Sequence, residues 1–231
     1  MVFPQVQVTI ESIDLDGNGI GHVDGKVHFI DGAITGETVI AEITRVKPSY
    51  SKGRTLTVLN SVSTRTIPKC PHYGVCGGCA MQHIETNAQV AIKNRALEDL
   101  LQRIGKQKPE QMMPPIYGSF WGYRHRARLS TRFVIKKDRF FVGFHEKASS
   151  YVADMQECHV LPKHVSNMLV PLGNMMVTLS IYMRLPQIEL AVGDGVTAMV
   201  LRHLEPLSES DLITLKAFGN EWGVDWWLQP G

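Results

Sequence analysis

The chain has 231 residues, of which 44% are apolar and 20% charged, a balance that supports one large or two ordinary cored domains and excludes disorder. No run approaches the roughly 18 apolar residues of a membrane span, and no basic leader precedes an apolar stretch at the start, so a cytoplasmic protein with no membrane partner is expected. The net charge of +2 conceals an asymmetry: residues 93–147 carry 13 basic against 5 acidic groups, while residues 148–231 carry 4 against 9.

Residues 5–62 read as short strands broken by glycine turns. Val6, Val8 and Ile10 alternate, VHFI and VIAEITRV follow across two turns, and RTLTVL closes the segment. No helical period occurs here, so the pattern predicts a small all-β barrel or sandwich. Asp14, Asp16, Asn18 and Gly19 imitate the opening of a calcium loop, but the twelfth position is Gly25 where a bidentate glutamate is required. They are turn residues. The polar, proline-bounded stretch 61–71 is a connector, which sets the expected domains at 1–66 and 67–231.

Beyond the connector the period changes. Thr86 and Gln89 form a predicted capping box, and Ala88, Ala91, Leu97, Leu100, Leu101 and Ile104 recur at helical spacing. A hairpin is expected over 124–144, turning at KKDR, and then a helix over 164–180 with Val165, Met168, Leu169, Leu172, Met176 and Leu179 inward. A second hairpin spans 184–203, Ser208 caps a short helix, and VDWWL makes a last strand. The second domain is therefore expected to be α+β, built of antiparallel hairpins and helices.

Two constellations carry chemistry. The first is KCPHYGVCGGCAMQH, which sets Cys70, Cys76 and Cys79 within ten residues, with Cys158 following in DMQECHVLP. Clustered thiolates repel unless a cation holds them, and in a reducing compartment such a set points to metal rather than disulfides. Zinc also accepts four thiolates, but its sites usually pair two short CxxC knuckles and only one exists here, so the spacing favours a 4Fe–4S cluster. A radical enzyme would need three ligands and an open iron, which Cys158 as a fourth ligand would close. His72, His83 and His159 are expected beside this site rather than as ligands.

The second constellation is YRHRARLSTRFVIKK. Arg124, Arg126, Arg128 and Arg132 fall on alternate positions, hence on one face of a strand, with Lys136 and Lys137 at the hairpin tip. Guanidinium groups so placed suit a nucleic-acid backbone; the competing reading is an ion pair with the acidic C-terminal block, above all at Arg128. In the first domain Lys47, Lys52 and Arg54 flank Tyr50, a basic and aromatic cluster suited to stacking on unpaired bases.

Taken in order, the barrel, CPHYGVCGGCAMQH, WGYRHRARLS and VGFHEKASSYVADMQECHVL resemble the RlmD type of 23S rRNA uracil-5-methyltransferase, across essentially the whole chain. The resemblance implies a TRAM domain (an RNA-binding barrel of oligonucleotide-binding type) over the first segment. It also implies 4Fe–4S ligation by Cys70, Cys76, Cys79 and Cys158, 23S rRNA as partner, and a monomer. Members of that family continue into a Rossmann-like domain that binds S-adenosylmethionine, where a cysteine thiolate adds to uracil carbon 6 so that carbon 5 can take the methyl group.

Here no glycine-rich loop follows a strand, and no cysteine remains once four are assigned as ligands. By the resemblance, the chain stops at VDWWLQPG where the Rossmann-like methyltransferase domain would begin, so that domain is expected to be absent. The chain is read as the RNA-recognition and cluster-bearing fragment of the enzyme, inactive by itself. A stand-alone RNA-binding protein with a structural zinc or iron–sulfur site is the alternative, and a cluster-based sensor a third.

Overall fold

The computed structural model describes residues 3–231. Alternation over the first sixty positions becomes six strands: β1 (Gln5–Thr9), β2 (Ser12–Ile13), β3 (Asn18–Val23), β4 (Lys26–Asp31), β5 (Thr38–Val46) and β6 (Tyr50–Asn60). They are ordered β1-β5-β6-β4-β3-β2. β1 and β2 stand at opposite ends of that order, yet only Ile10 and Glu11 separate them in sequence, so the sheet must curl into a barrel. The seam is tight. The Glu11 N–H donates to the Ile20 carbonyl at 2.8 Å, and a Cβ on Gly21 would lie 2.3 Å from the Thr9 carbonyl oxygen. Val8, Ile10, Ile30, Ala33, Val39, Ala41 and Ile43 fill the interior, and those on β1 and β5 fall on alternate positions of the runs read from sequence.

The connector after β6 is not a free tether. Arg65 donates from Nε and Nη2 to the carboxylate of Glu37, each at 2.6 Å, and from Nη2 to the Gly32 carbonyl at 2.8 Å. Glu37 is fully buried and also accepts from the Ile34 N–H. Burial alone would raise its pKa, but the Arg65 hydrogen bond, that N–H and the Arg65 charge together hold it below the ordinary carboxylate value. Met81 and Ile84 pack with Ile34 into a small satellite core, against which Ala88 and Ile92 rest.

Helix α1 (Thr86–Arg103) begins there, but its cap is Glu85, whose side chain accepts from the Ala88 N–H. Gln89 donates to the Ile84 carbonyl instead of completing the box with Thr86. None of its residues is fully buried, and Leu97, Leu100 and Ile104 are exposed.

The second sheet contains β7 (Arg126–Val134), β8 (Arg139–Gly143), β9 (Gln187–Gly193), β10 (Val196–His203) and β11 (Val224–Pro230), ordered β11-β10-β9-β7-β8. Helices α2 (Lys163–Met176) and α3 (Glu209–Trp222) pack on it. Val165, Met168, Leu169, Leu172 and Met176 of α2 are buried, as their spacing predicts. Ser208 forms a full capping box with Asp211. Buried Asp211 also accepts from the Ser180 N–H at 2.7 Å and the Ser180 hydroxyl at 2.6 Å, tying the start of α3 to the turn after α2. Burial opposes ionisation, but these donors overcome it and bring the Asp211 pKa from 3.8 to about 2.

The expected class of antiparallel hairpins is corrected here. Both sheets are mixed: β4 pairs parallel with β6, and β10 pairs parallel with β11. The second follows from connectivity, because α3 lies between β10 and β11 and a helical crossover returns the chain in the same direction.

Packing divides the chain into two units, Met1–Lys69 with Cys79–Tyr117, and Cys70–Gly78 with Gly118–Gly231. The sequence places one division at 66/67; the chain passes between the units at 69/70, 78/79 and 117/118.

Candidate nucleic-acid interface and cysteine loop

In the second unit the loop that begins at Cys70 is shaped by its own backbone. The Tyr73 N–H donates to the Cys70 carbonyl, and those of Val75 and Cys76 to the His72 carbonyl. Gly77 donates to the His145 carbonyl at 2.8 Å, fastening the loop to the segment after β8. Gly78 donates its N–H to Cys76 Sγ at 3.3 Å and lies so close to Phe144 that a Cβ would come within 2.8 Å of the ring. Cys76 Sγ sits 3.8 Å from Met155 Sδ. His72 Nε2 accepts from the Gln156 N–H at 3.2 Å. The Cys158 N–H donates to Ser166 Oγ at 2.8 Å, in the first turn of α2.

Cys70, Cys76 and Cys158 thus belong to the same unit, and Cys79 to the other. Cys76 and Cys158 are buried, Cys70 and Cys79 half-buried, and none is in a disulfide. Among the described residues no three His, Cys, Asp or Glu side chains are gathered as a metal site. His159 lies 3.6 Å from Glu157 and meets the Trp121 ring edge-on, while His83 is buried in the first unit.

The basic residues separate into engaged and open. Arg124 precedes β7, and its guanidinium lies over the Phe144 ring at 5.2 Å. Arg128 pairs with Glu189 at 3.1 Å, the acidic-block partner considered from sequence. Lys137 pairs with Asp154 at 3.0 Å and covers the Phe141 ring. Arg126, Arg132 and Lys136 are exposed.

On the barrel Arg54 pairs with Glu42 at 2.8 Å. Lys47 and Lys52 are exposed beside Tyr50, whose carbonyl accepts from the Lys47 N–H. Tyr50 meets Phe29 edge-to-face at 5.7 Å, and Phe29 lies opposite Lys52 in the β4–β6 ladder. Sequence reasoning missed Phe29. The alternation that turns Ile30 inward was the available signal, since it turns Phe29 out.

Nearby His28 is buried, and burial first, then the charge of Lys26, lowers its pKa. It is therefore neutral at neutral pH.

A shallow cavity of about 500 Å³ joins these features in the second unit, lined by Gly77, Gly78, Arg124, Phe144, His145 and Lys147 among others. No helix among the described residues is long and apolar enough to cross a membrane.

Comparison with known proteins places this geometry. The TRAM domain family matches residues 1–56. The 23S rRNA (uracil(1939)-C(5))-methyltransferase RlmD of Bordetella avium is 57% identical over 220 residues, covering 95% of this chain and 46% of that protein. The corresponding protein of Chromobacterium violaceum is 52% identical over 235 residues, covering 100% of this chain and 46% of its own. The chain therefore spans about half the length of these relatives. The Pyrococcus abyssi tRNA (uracil-54, C5)-methyltransferase, solved with S-adenosyl-L-homocysteine, shares the fold with a TM-score of 0.64 at 18% identity, over 97% of this chain and 52% of that one.

These findings overturn two expectations. A barrel plus an α+β domain with the Rossmann-like domain absent does not stand as the fold class, because 97% of the chain follows the fold of a uracil-C5 methyltransferase. Confinement to a recognition fragment without the S-adenosylmethionine-binding part falls with it, since the proteins matching 95–100% of the chain are the methyltransferases themselves. Inactivity is likewise unsupported. The expectation rests on where the chain stops relative to the family, whereas fold is carried by packing along the whole chain. Over the half of their length that it spans, the chain is similar throughout to the RlmD 23S rRNA uracil-C5-methyltransferases, and its first 56 residues match the TRAM domain family.

Proposed function

We propose that this chain serves in the methylation of uracil carbon 5 in 23S rRNA, gripping the RNA with its barrel and with the arginines at β7. The observation that carries the proposal is the 57% identity to an RlmD methyltransferase over 95% of the chain. S-adenosylmethionine supplies the methyl group in such a reaction. The RNA would meet Arg124, Arg126, Arg128 and Arg132 with Lys136 and Lys137 on the second unit, and Lys47, Tyr50, Lys52 and Arg54 on the barrel. Arg126 and Arg132 are exposed and make no ion pair among the described residues, so phosphates can take them without breaking one. Arg54, Arg128 and Lys137 would have to exchange a carboxylate for a phosphate.

The 4Fe–4S cluster belongs to the same proposal, with Cys70, Cys76, Cys79 and Cys158 as ligands. The donor chemistry suits it: four thiols, two of them buried, and a backbone N–H directed at Cys76 Sγ, the kind of bond that tunes a cluster sulfur. Iron and sulfide per chain after anaerobic purification, with Cys158→Ser as control, measure it; colourless protein carrying zinc would replace the cluster with a structural metal.

The function is tested by retention of a 23S rRNA transcript across a salt series, with methyl-labelled S-adenosylmethionine in the same samples. Retention falling steeply with salt is expected, and label in 5-methyluridine reads the chemistry directly. Failure to retain the transcript at low salt refutes the proposal.

A further inference from the structure

The five-stranded sheet has two unlike faces. Leu129, Ile188, Leu190, Met199 and Leu201 are buried on the face under the helices. Directly paired residues point to the same side of a sheet, so the ladders define what the other face presents. Arg128 pairs with Glu189, Glu189 with Val200, and Val200 with Trp227, making one row across four strands. The Arg128–Glu189 contact of 3.1 Å confirms their common side. The flanking rows are Arg126–Ala191–Ala198–Asp225 and Ser130–Gln187–Arg202–Gln229.

Trp227 is 64% exposed on this face. Arg202, one residue along β10 from the position opposite Leu228, lies in the row next to it and is exposed, as are Arg126 and Arg132. The arginine rim at β7 and the indole at β11 are three strand spacings apart, about 14 Å. Between them the floor is low, made by Ala191, Ala198 and Val200. Four arginines face two carboxylates, Glu189 and Asp225, and Glu189 is already engaged. A protein partner held by apolar burial would find little here beyond one indole and one valine. A single-stranded nucleic acid finds both of its needs: a flat ring for a base, and cations on either side for the phosphates.

We infer that this open sheet face is a stacking platform for single-stranded RNA, in which Trp227 stacks on an unpaired base while Arg202 and Arg126 neutralise flanking phosphates. The inference rests on the RNA-binding reading above and adds to it a defined surface, with two residues outside the arginine-rich strand.

Fluorescence anisotropy of a 5′-labelled dodecauridine RNA, titrated with the whole chain across a salt series, tests it. Trp227→Ala should weaken binding by about tenfold or more, and Trp227→Phe should restore most of the loss. Arg202→Ala should reduce the salt slope by about 0.7. Circular dichroism checks that each variant stays folded, as expected for exposed positions. Wild-type affinity in both Trp227→Ala and Arg202→Ala overturns the platform. So does a wild-type dimer that Trp227→Ala dissociates, because a second copy would then own the face. Tyr50→Ala with Lys52→Ala separates the two readings. If these barrel changes weaken binding while the sheet variants do not, the platform falls and the wider RNA-binding role stands. If the unaltered chain binds no RNA, both fall.

Discussion

The two sheets solve the same problem in opposite ways. The barrel closes on itself, so each of its strands has one face committed to a shared interior. Two of its three arginines are absorbed into the structure, Arg65 into the buried Glu37 and Arg54 into Glu42, while Arg45 stays exposed at the end of β5. The five-stranded sheet stays open, has helices on one side, and leaves Arg126, Arg132 and Arg202 exposed on or beside the other. An arginine therefore says little by its presence. What distinguishes a structural guanidinium from one available to a ligand is whether a carboxylate has been placed to meet it.

That contrast can be broken most forcefully at Glu37. Replacing it with Gln strips the partner from Arg65 inside the barrel and should cost about 3 kcal/mol of stability in urea unfolding. A loss below about 1 kcal/mol would mean that the pair is ornamental and the contrast false. Because the folded Glu37 pKa is depressed, its contribution is complete above the ordinary value of 4.5 and disappears as pH falls through the folded value.

Asp211 sharpens the comparison from the other side, as a polar staple within the open-sheet unit. Asp211→Ala leaves the Ser180 and Ser208 donors without an acceptor and should cost about 2 kcal/mol. In the unaltered chain this contribution is present above pH 3.8 and is lost as pH falls through about 2, which acid unfolding of the two proteins compares.

The smallest effect on stability, and the sharpest on binding, belongs to the arginines without partners. Arg126→Ala with Arg132→Ala should leave stability within about 0.5 kcal/mol while lowering the salt slope of RNA binding by about 1.4. Arg54→Ala, which removes a surface pair, should change stability by less than about 1 kcal/mol. An equal loss of slope there would erase the distinction between absorbed and open cations.

Much of this was legible before the fold. Alternation placed the barrel strands and their inward positions, and the spacing of Val165, Met168, Leu169, Leu172 and Met176 gave the buried stripe of α2, because both periods are imposed locally by backbone geometry. The parallel return of β11 is also written in the order strand, helix, strand, but VDWWL is placed from sequence only as a last strand, with no direction assigned. Other features depend on partners distant in sequence. Arg65 looked like part of a solvated connector, since nothing near it discloses the carboxylate 28 residues earlier that holds it. The apolar positions of α1 implied a buried stripe that the described fold does not bury, because periodicity reports which side of a helix is greasy and not what lies against it. The cysteine spacing named a candidate ligand set, but thiol separations in space are beyond any count of intervening residues.

Phe144 has a mechanical consequence of its own. Gly78 presses against its ring and the Arg124 cation rests over it, so one rigid plate bears on both the thiol-bearing loop and the first charge of the arginine series. With no side chain on the glycine there is no cushion at that contact. Whatever grips Arg124 therefore bears on a ring that also borders the backbone of the thiol-bearing loop.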